Sequence, residues 1–288
     1  MAYLWGATLI WAFSFSLIGV YLAGQVDSYF SVLMRVALAV LVFIPWLVRY
    51  PLSWRIAASL AAVGAVQLGC MYLFYYHSFL LLSVPEVLIF TIFTPVYIVL
   101  INDLLERCFH PGYLLVSALA VAGAAIIRFD ELSSEVMLGF LVVQGANLCF
   151  AAGQVFYKRL VAQHIPNQPP HHYFGWFFVG ALAIVLPAWL ILGTDRYPQT
   201  DLQWGVLLWL GLVASGLGYF IWNRGATLVN AGKLAVMNDM LIPAGLLVNL
   251  LIWNRDTDLT RLIIGGGVLI AALYLAHHLN KHHSTVEA

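Results

Sequence analysis

Leu234-Ala-Val-Met-Asn238-Asp239-Met-Leu-Ile-Pro243-Ala-Gly-Leu-Leu-Val-Asn249-Leu-Leu-Ile-Trp253 is an apolar run broken by an Asn-Asp pair and, four positions after the acid, a proline. About twenty apolar residues cross the roughly 30 Å of hydrocarbon in a bilayer, so the stretch reads as a transmembrane helix. A charged side chain inside such a helix costs at least about 2.5 kcal/mol on insertion scales, which makes Asp239 a functional-site candidate by default. Pro243 frees the backbone carbonyl one turn earlier, at residue 239 itself, and such interruptions are tolerated where helices line a cavity.

The rest of the chain has the same character. Of its 288 residues, 62% are hydrophobic and only 9% charged, against roughly one quarter charged in a soluble domain. The composition is that of a polytopic membrane protein. A formal charge of zero and thirteen scattered Lys and Arg cannot build the clustered basic surface that nucleic acid requires. Cys70, Cys108 and Cys149 are odd in number and match no metal or redox spacing, so they read as small packing residues.

Hydropathy windows predict ten spans, at about 2–22, 29–48, 56–80, 84–103, 111–127, 137–158, 172–193, 203–224, 234–253 and 261–279. The first carries no basic leader segment and reads as a retained helix. With the N-terminus inside, the cytoplasmic loops and tail hold Arg49, Arg55, Arg107, Lys158, Arg159, Arg224, Lys233 and Lys281, against Arg128, Arg196, Arg255 and Arg261 outside. That asymmetry predicts both termini cytoplasmic, in an inner (plasma) membrane.

Sliding the chain by 148 residues superposes Pro95 on Pro243, Thr91 on Asp239 and Tyr75 on Asn223, and pairs spans 3 and 4 with spans 8 and 9. Five spans per half is odd, so the second half enters the membrane inverted. The expected organisation is a first five-helix repeat over 1–128, a connecting loop at 129–136, a second repeat over 137–280 and a polar tail at 281–288. The fold class is thus all-α integral membrane, with ten transmembrane helices in two inverted five-helix repeats.

Several stretches in series resemble the drug/metabolite transporter superfamily, and within it the ten-helix EamA-type members. They are Trp11-Ala-Phe-Ser14, Arg35-Val-Ala-Leu-Ala, Ser78-Phe-Leu-Leu-Leu-Ser83 before Pro95, Leu104-Leu-Glu106-Arg107, and Ala214-Ser215-Gly216-Leu-Gly218-Tyr-Phe-Ile-Trp222-Asn223. The resemblance covers about residues 4–276, and Asn238-Asp239 departs from it, since the family is usually apolar there. It implies an exporter of amino acids or related metabolites, with helices 1, 3, 4, 6, 8 and 9 around a central cavity and helices 5 and 10 behind.

The polar groups at membrane depth can then be weighed. Three readings stand for Asp239: a proton or cation site, a salt bridge to Arg35 or Arg224, or a structural acid bonded to backbone. Asn238 travels with it. Arg35 reads chiefly as a structural or gating ion pair, with direct contact to a ligand as the alternative, and Glu86 as a carboxylate placed favourably at a helix N-terminus or as a gate. His77 is a proton carrier or a simply hydrogen-bonded histidine. Aromatic residues on spans 1, 3, 4 and 8, with Ser14, Thr91, Asn147 and Asn223 as polar anchors, suggest an aromatic cavity. The expected substrate-binding set is Trp11, Ser14, Tyr75, Tyr76, Thr91, Asn147, Tyr219, Asn223, Asn238 and Asp239, with Asp239, His77, Arg35 and Glu86 as coupling or gating residues. Gly211, Gly218, Gly123 and Gly265-Gly-Gly267 read as close-packing positions between helices.

No HExxH, CxxC or GxSxG occurs, and Ala231-Gly232-Lys233-Leu234 fails as a phosphate-binding loop. The expectation is a non-enzymatic secondary transporter without metal or other cofactor, monomer or homodimer among membrane lipids, moving small organic solutes by alternating access. Coupling, where present, is to protons. The alternatives are an exporter of organic cations with Asp239 as counter-ion, and a non-transporting membrane sensor or membrane-embedded enzyme.

Overall fold

A computed structural model describes residues 1–127, 134–253 and 259–286. Most of the loop expected at 129–136 lies outside the described residues, as do Arg128 and Arg255. Every element among the described residues is helical. This is the outcome a bilayer imposes, since only helices and closed barrels satisfy their own backbone groups in lipid. The helices are α1 (Ala2–Leu22), α2 (Ser28–Arg49), α3 (Trp54–Ser78), α4 (Glu86–Glu106), α5 (Pro111–Ile127), α6 (Ser134–His164), α7 (Pro170–Leu192), α8 (Asp201–Ala226), α9 (Ala231–Trp253) and α10 (Leu259–Val286).

Eight of these are long and apolar enough to cross a membrane; α5 and α10 contribute the shorter apolar stretches Pro111–Gly123 and Ile263–Ala276. Polar side chains at the turns set where helices start. Asp27 accepts from the Phe30 amide at 2.7 Å to open α2, Thr200 accepts from Gln203 to open α8, and Asn230 accepts from Lys233 to open α9. Each satisfies an amide that the first helical turn leaves without an intrahelical partner. Lys158, counted above only as a cytoplasmic charge, extends its ammonium to the Val229 carbonyl and so ties α6 to the turn between α8 and α9.

Two helices are interrupted at matching places. Helix α4 passes through a tighter turn at Thr91–Phe93, ahead of Pro95. Helix α9 breaks at Met240, ahead of Pro243, with Asp239 ending one segment and Leu241 starting the next. The 148-residue offset that aligns the two prolines therefore aligns the two breaks. Wider helical turns occur at 65–70 in α3 and 210–217 in α8, positions that overlap under the same offset. Such insertions release carbonyls from the i→i−4 ladder and recur at functional sites.

Helix α1 packs on both α8 and α9, α2 and α3 pack on α7, α4 packs on α6 and α9, and α5 pairs with α10. Small residues let these pairs approach, because lipid offers no hydrophobic force to drive helices together. The tightest crossing is α3 with α7: a Cβ added at Gly64 would lie 1.8 Å from the Phe177 carbonyl oxygen, and one at Gly180 would lie 1.7 Å from that of Ala61. Gly123 of α5 meets Gly265 of α10 as expected, and Gly211 fits against Leu38. Gly266 and Gly267 have nothing within 4 Å, so they are not close-packing positions.

Candidate functional site

The helices line a partly open cavity of about 90 Å³. Its wall comes from seven helices: Trp11, Ser14 and Phe15 of α1; Arg35 of α2; Met71, Tyr72 and Tyr75 of α3; Thr91 and Thr94 of α4; Ala146, Asn147 and Phe150 of α6; Tyr219 and Trp222 of α8; and Asn238 and Leu241 of α9. Among the described residues, helices α5, α7 and α10 contribute nothing to it, and α2 joins the expected set through Arg35.

Trp11 is the hub of the aromatic wall, and its placement follows from the wide turn in α8. That turn exposes the Ala214 carbonyl, to which the Trp11 indole N–H donates at 2.8 Å. Gly218 makes room, since a Cβ there would stand 2.6 Å from the indole nitrogen. The Trp11 ring packs at 4.9 Å from Tyr219, 5.0 Å from Trp222 and 5.8 Å from Phe150, and Tyr219 meets Tyr72 edge-on at 5.8 Å. Edge and tilted contacts of this kind add to area burial and hold the rings rigidly.

Arg35 occupies one part of this wall and is 2% exposed. Its Nε donates to Ser215 Oγ at 2.9 Å, and its two terminal nitrogens donate to the hydroxyls of Tyr76, at 3.1 Å, and Tyr72. Tyr72 and Ser215 are bonded to each other at 2.8 Å. The Tyr72 ring also lies under the guanidinium, with Cζ 4.3 Å from its centroid, in cation–π contact. All these partners are neutral. No acid pairs with Arg35 among the described residues, so the ion-pair reading of this residue does not hold.

A second polar group comes from α4, α6 and α9. Asn147 donates to the Phe90 carbonyl at 2.7 Å and to Gln144 Oε1 at 3.1 Å, and Gln144 donates to the same carbonyl. That carbonyl stands at the start of the tight turn of α4. Below the aromatic wall, Trp222 Nε1 donates to Gln154 Oε1 at 3.0 Å, and Gln154 Nε2 reaches Asn238 Oδ1 at 3.4 Å. This chain of neutral bonds ties α8, α6 and α9 into one layer.

Of the expected binding residues, the cavity brings together Trp11, Ser14, Tyr75, Thr91, Asn147, Tyr219 and Asn238. Tyr76 stands behind Arg35 as its hydrogen-bond acceptor. Asn223 is fully buried and donates to the Tyr219 carbonyl instead of lining the cavity. Asp239 does not line it either. The residue is completely buried, and neither carboxyl oxygen has a hydrogen-bond partner among the described residues, so the salt bridge to Arg35 or Arg224 is absent. Two turns earlier on the same face of α9, Gly232 packs on Tyr113 of α5. Without a cavity contact, Asp239 cannot serve there as counter-ion to an organic cation.

His77 is exposed on the outer face of α3. Glu86 accepts at 2.7 Å from both the amide and the hydroxyl of Ser83, which makes it part of the cap that starts α4. No group of three or more His, Cys, Asp or Glu able to hold a metal occurs among the described residues. Sequence reasoning missed Phe150, Met71 and the guanidinium cradle. The cradle left one signal, the i, i+4 spacing of Tyr72 and Tyr76, which puts two hydroxyls on one helix face.

Comparison with known proteins agrees with this architecture. The EamA-like transporter family matches residues 137–276, from α6 into α10. A protein of Pseudomonas aeruginosa described as a probable biotin transporter is 54% identical over 96% of both chains. A biotin transporter of Escherichia coli is 48% identical over 96% of this chain and 92% of that protein. A probable amino-acid metabolite efflux pump of Salmonella typhimurium is 28% identical over 55% of each. The chain therefore belongs to the EamA-like transporter family of the drug/metabolite transporter superfamily: it is a multi-pass transporter of small molecules in the inner membrane, and not an enzyme.

Proposed function

We propose that the transported solute is biotin and that it binds in the central cavity. One observation carries the reading: the cavity joins a rigid aromatic wall to a set of neutral amides and hydroxyls, in a chain about half identical along nearly its whole length to proteins named as biotin transporters. Biotin combines a compact apolar bicycle with a ureido group that both donates and accepts hydrogen bonds. Aromatic faces suit the first, and Asn147, Thr91, Thr94 and Asn238 suit the second. An amino-acid substrate, the expectation from sequence, fits less well. Its ammonium would need a carboxylate, and no acid lines the cavity among the described residues.

Transport is by alternating access around this site, with the halves 1–128 and 137–280 as inverted repeats and both termini cytoplasmic. The matched breaks in α4 and α9 support the repeat, since transporters of this kind build their sites from interrupted helices near the midplane. The Trp222–Gln154–Asn238 layer is the inner closure, because it links three cavity helices by neutral bonds that can be exchanged without exposing charge.

Purified protein in proteoliposomes tests the substrate. Labelled biotin is expected to move, from whichever side it is loaded, and to be displaced by unlabelled biotin but not by leucine or other amino acids. Leucine flux without biotin flux would overturn the proposal in favour of amino-acid export.

A further inference from the structure

A guanidinium carries five N–H donors and no acceptor. Arg35 donates three of them, Nε–H to Ser215 and one from each terminal nitrogen to Tyr76 and Tyr72. One N–H on each terminal nitrogen is left, on a side chain that lines the cavity. The mutual bond between Tyr72 and Ser215 closes off the Nε edge. What remains is one N–H on each terminal nitrogen, and a pair of guanidinium donors suits the two oxygens of a carboxylate. The cradle holds the group in place through neutral hydroxyls and a ring face, and supplies orientation with no neutralising charge. An intramembrane cation is expensive to keep and is normally paired. Here no acidic partner occurs among the described residues, for a side chain that lines the cavity where a solute sits.

We infer that Arg35 is the carboxylate receptor of the cavity, and that the transported species is the monoanion of a ring-bearing carboxylic acid. The inference rests on the biotin reading above and adds which end of the solute is recognised by charge. The valerate carboxylate takes both free N–H groups of Arg35. The bicyclic head lies along the wall that runs from Tyr72 through Tyr219 and Trp11 to Phe150, one helical turn from Asn147. The aromatic wall and amides recognise neutral analogues as well as they do biotin; only the guanidinium tells them apart.

The test is competition against labelled biotin uptake in proteoliposomes, with biotin, its primary amide and its methyl ester as competitors. Wild-type protein should prefer biotin to the two neutral analogues by about 100-fold, the scale of a bidentate charge-assisted contact. Arg35→Gln should weaken biotin by about 100-fold and the amide by less than about threefold, so that the preference disappears. Arg35→Lys, which keeps the charge and loses the fork, should recover only part of it. Equal potency of acid and amide on the wild type overturns the inference whether or not any variant folds. An equal loss for acid and amide in Arg35→Gln, at an unchanged melting midpoint, also overturns it and makes Arg35 a packing residue. Absence of biotin flux in the wild type, read before any analogue is added, overturns the biotin reading itself and this assignment with it.

Discussion

Arg35 and Asp239 are both ionisable, both buried and both set in apolar helices, yet the protein surrounds them in opposite ways. Arg35 has a hydroxyl acceptor on each of its three nitrogens, an aromatic ring beneath it and a place in the cavity wall. Asp239 has no hydrogen-bond partner among the described residues and does not line the cavity. Two groups of similar insertion cost thus carry different meaning. Burial of a polar group marks a place where something must compensate it. Only the partners and the direction of the side chain tell whether that something is a solute.

The sharpest way to break this contrast is to reverse the charge on its cavity side. Arg35→Glu would place an anion where the substrate carboxylate is proposed to bind, while Tyr72, Tyr76 and Ser215 could turn their hydroxyls to donate to it. Biotin flux should fall by at least about 1,000-fold, attraction having been replaced by repulsion. The melting midpoint should change little by comparison. Initial rates and a thermal melt on the same preparation check both; flux within tenfold of the wild type would remove Arg35 from substrate recognition.

A milder change keeps the charge and loosens its cradle. Tyr72→Phe retains the ring under the guanidinium but deletes the hydroxyl that accepts from Arg35 and bonds Ser215. A hydrogen bond to a charged group contributes about 1.5–3 kcal/mol, of which orientation is only part, so biotin affinity should drop by about five- to tenfold. The acid-over-amide preference should shrink without vanishing. A Tyr72→Phe protein that loses the preference entirely would shift the recognition from Arg35 to the tyrosine.

The ten helices could be read from the amino-acid sequence because a bilayer leaves so few solutions. A run such as Ser28–Arg49, once long and apolar enough, must be a helix, and Asp27, Thr200 and Asn230 mark starts by chemistry that is visible in sequence. The facing of side chains was far less legible. In a soluble helix, polarity contrast shows which side is inward, but α9 is apolar nearly all round and carries no such mark. Asn238 and Asp239 differ by one residue, about 100° of rotation, and that step separates a cavity amide from a buried carboxyl outside the cavity lining. Phe150 and Met71 left no signal because an apolar residue in an apolar span is unremarked. Arg35 was visible, but the absence of any acid near it is a fact of three-dimensional arrangement.

The smallest expected effect lies on the other side of the contrast. Asp239→Asn replaces the carboxyl by a group of the same shape that brings no ionisable proton. Its neighbours accept nothing from it and donate nothing to it among the described residues, so no bonded network is broken. Biotin flux at neutral pH should stay within about threefold of the wild type, as for an isosteric change away from the binding surface. The pH profile of flux should keep its shape, because a group with no contact to the cavity has no direct route to the bound solute. Measuring flux across a range of pH at matched protein density decides the point. If the Asn variant transports biotin but has lost its pH dependence, Asp239 is a proton site after all. The two halves of the contrast then divide the labour: Arg35 selects the anion, and Asp239, out of its reach, carries the proton that moves with it.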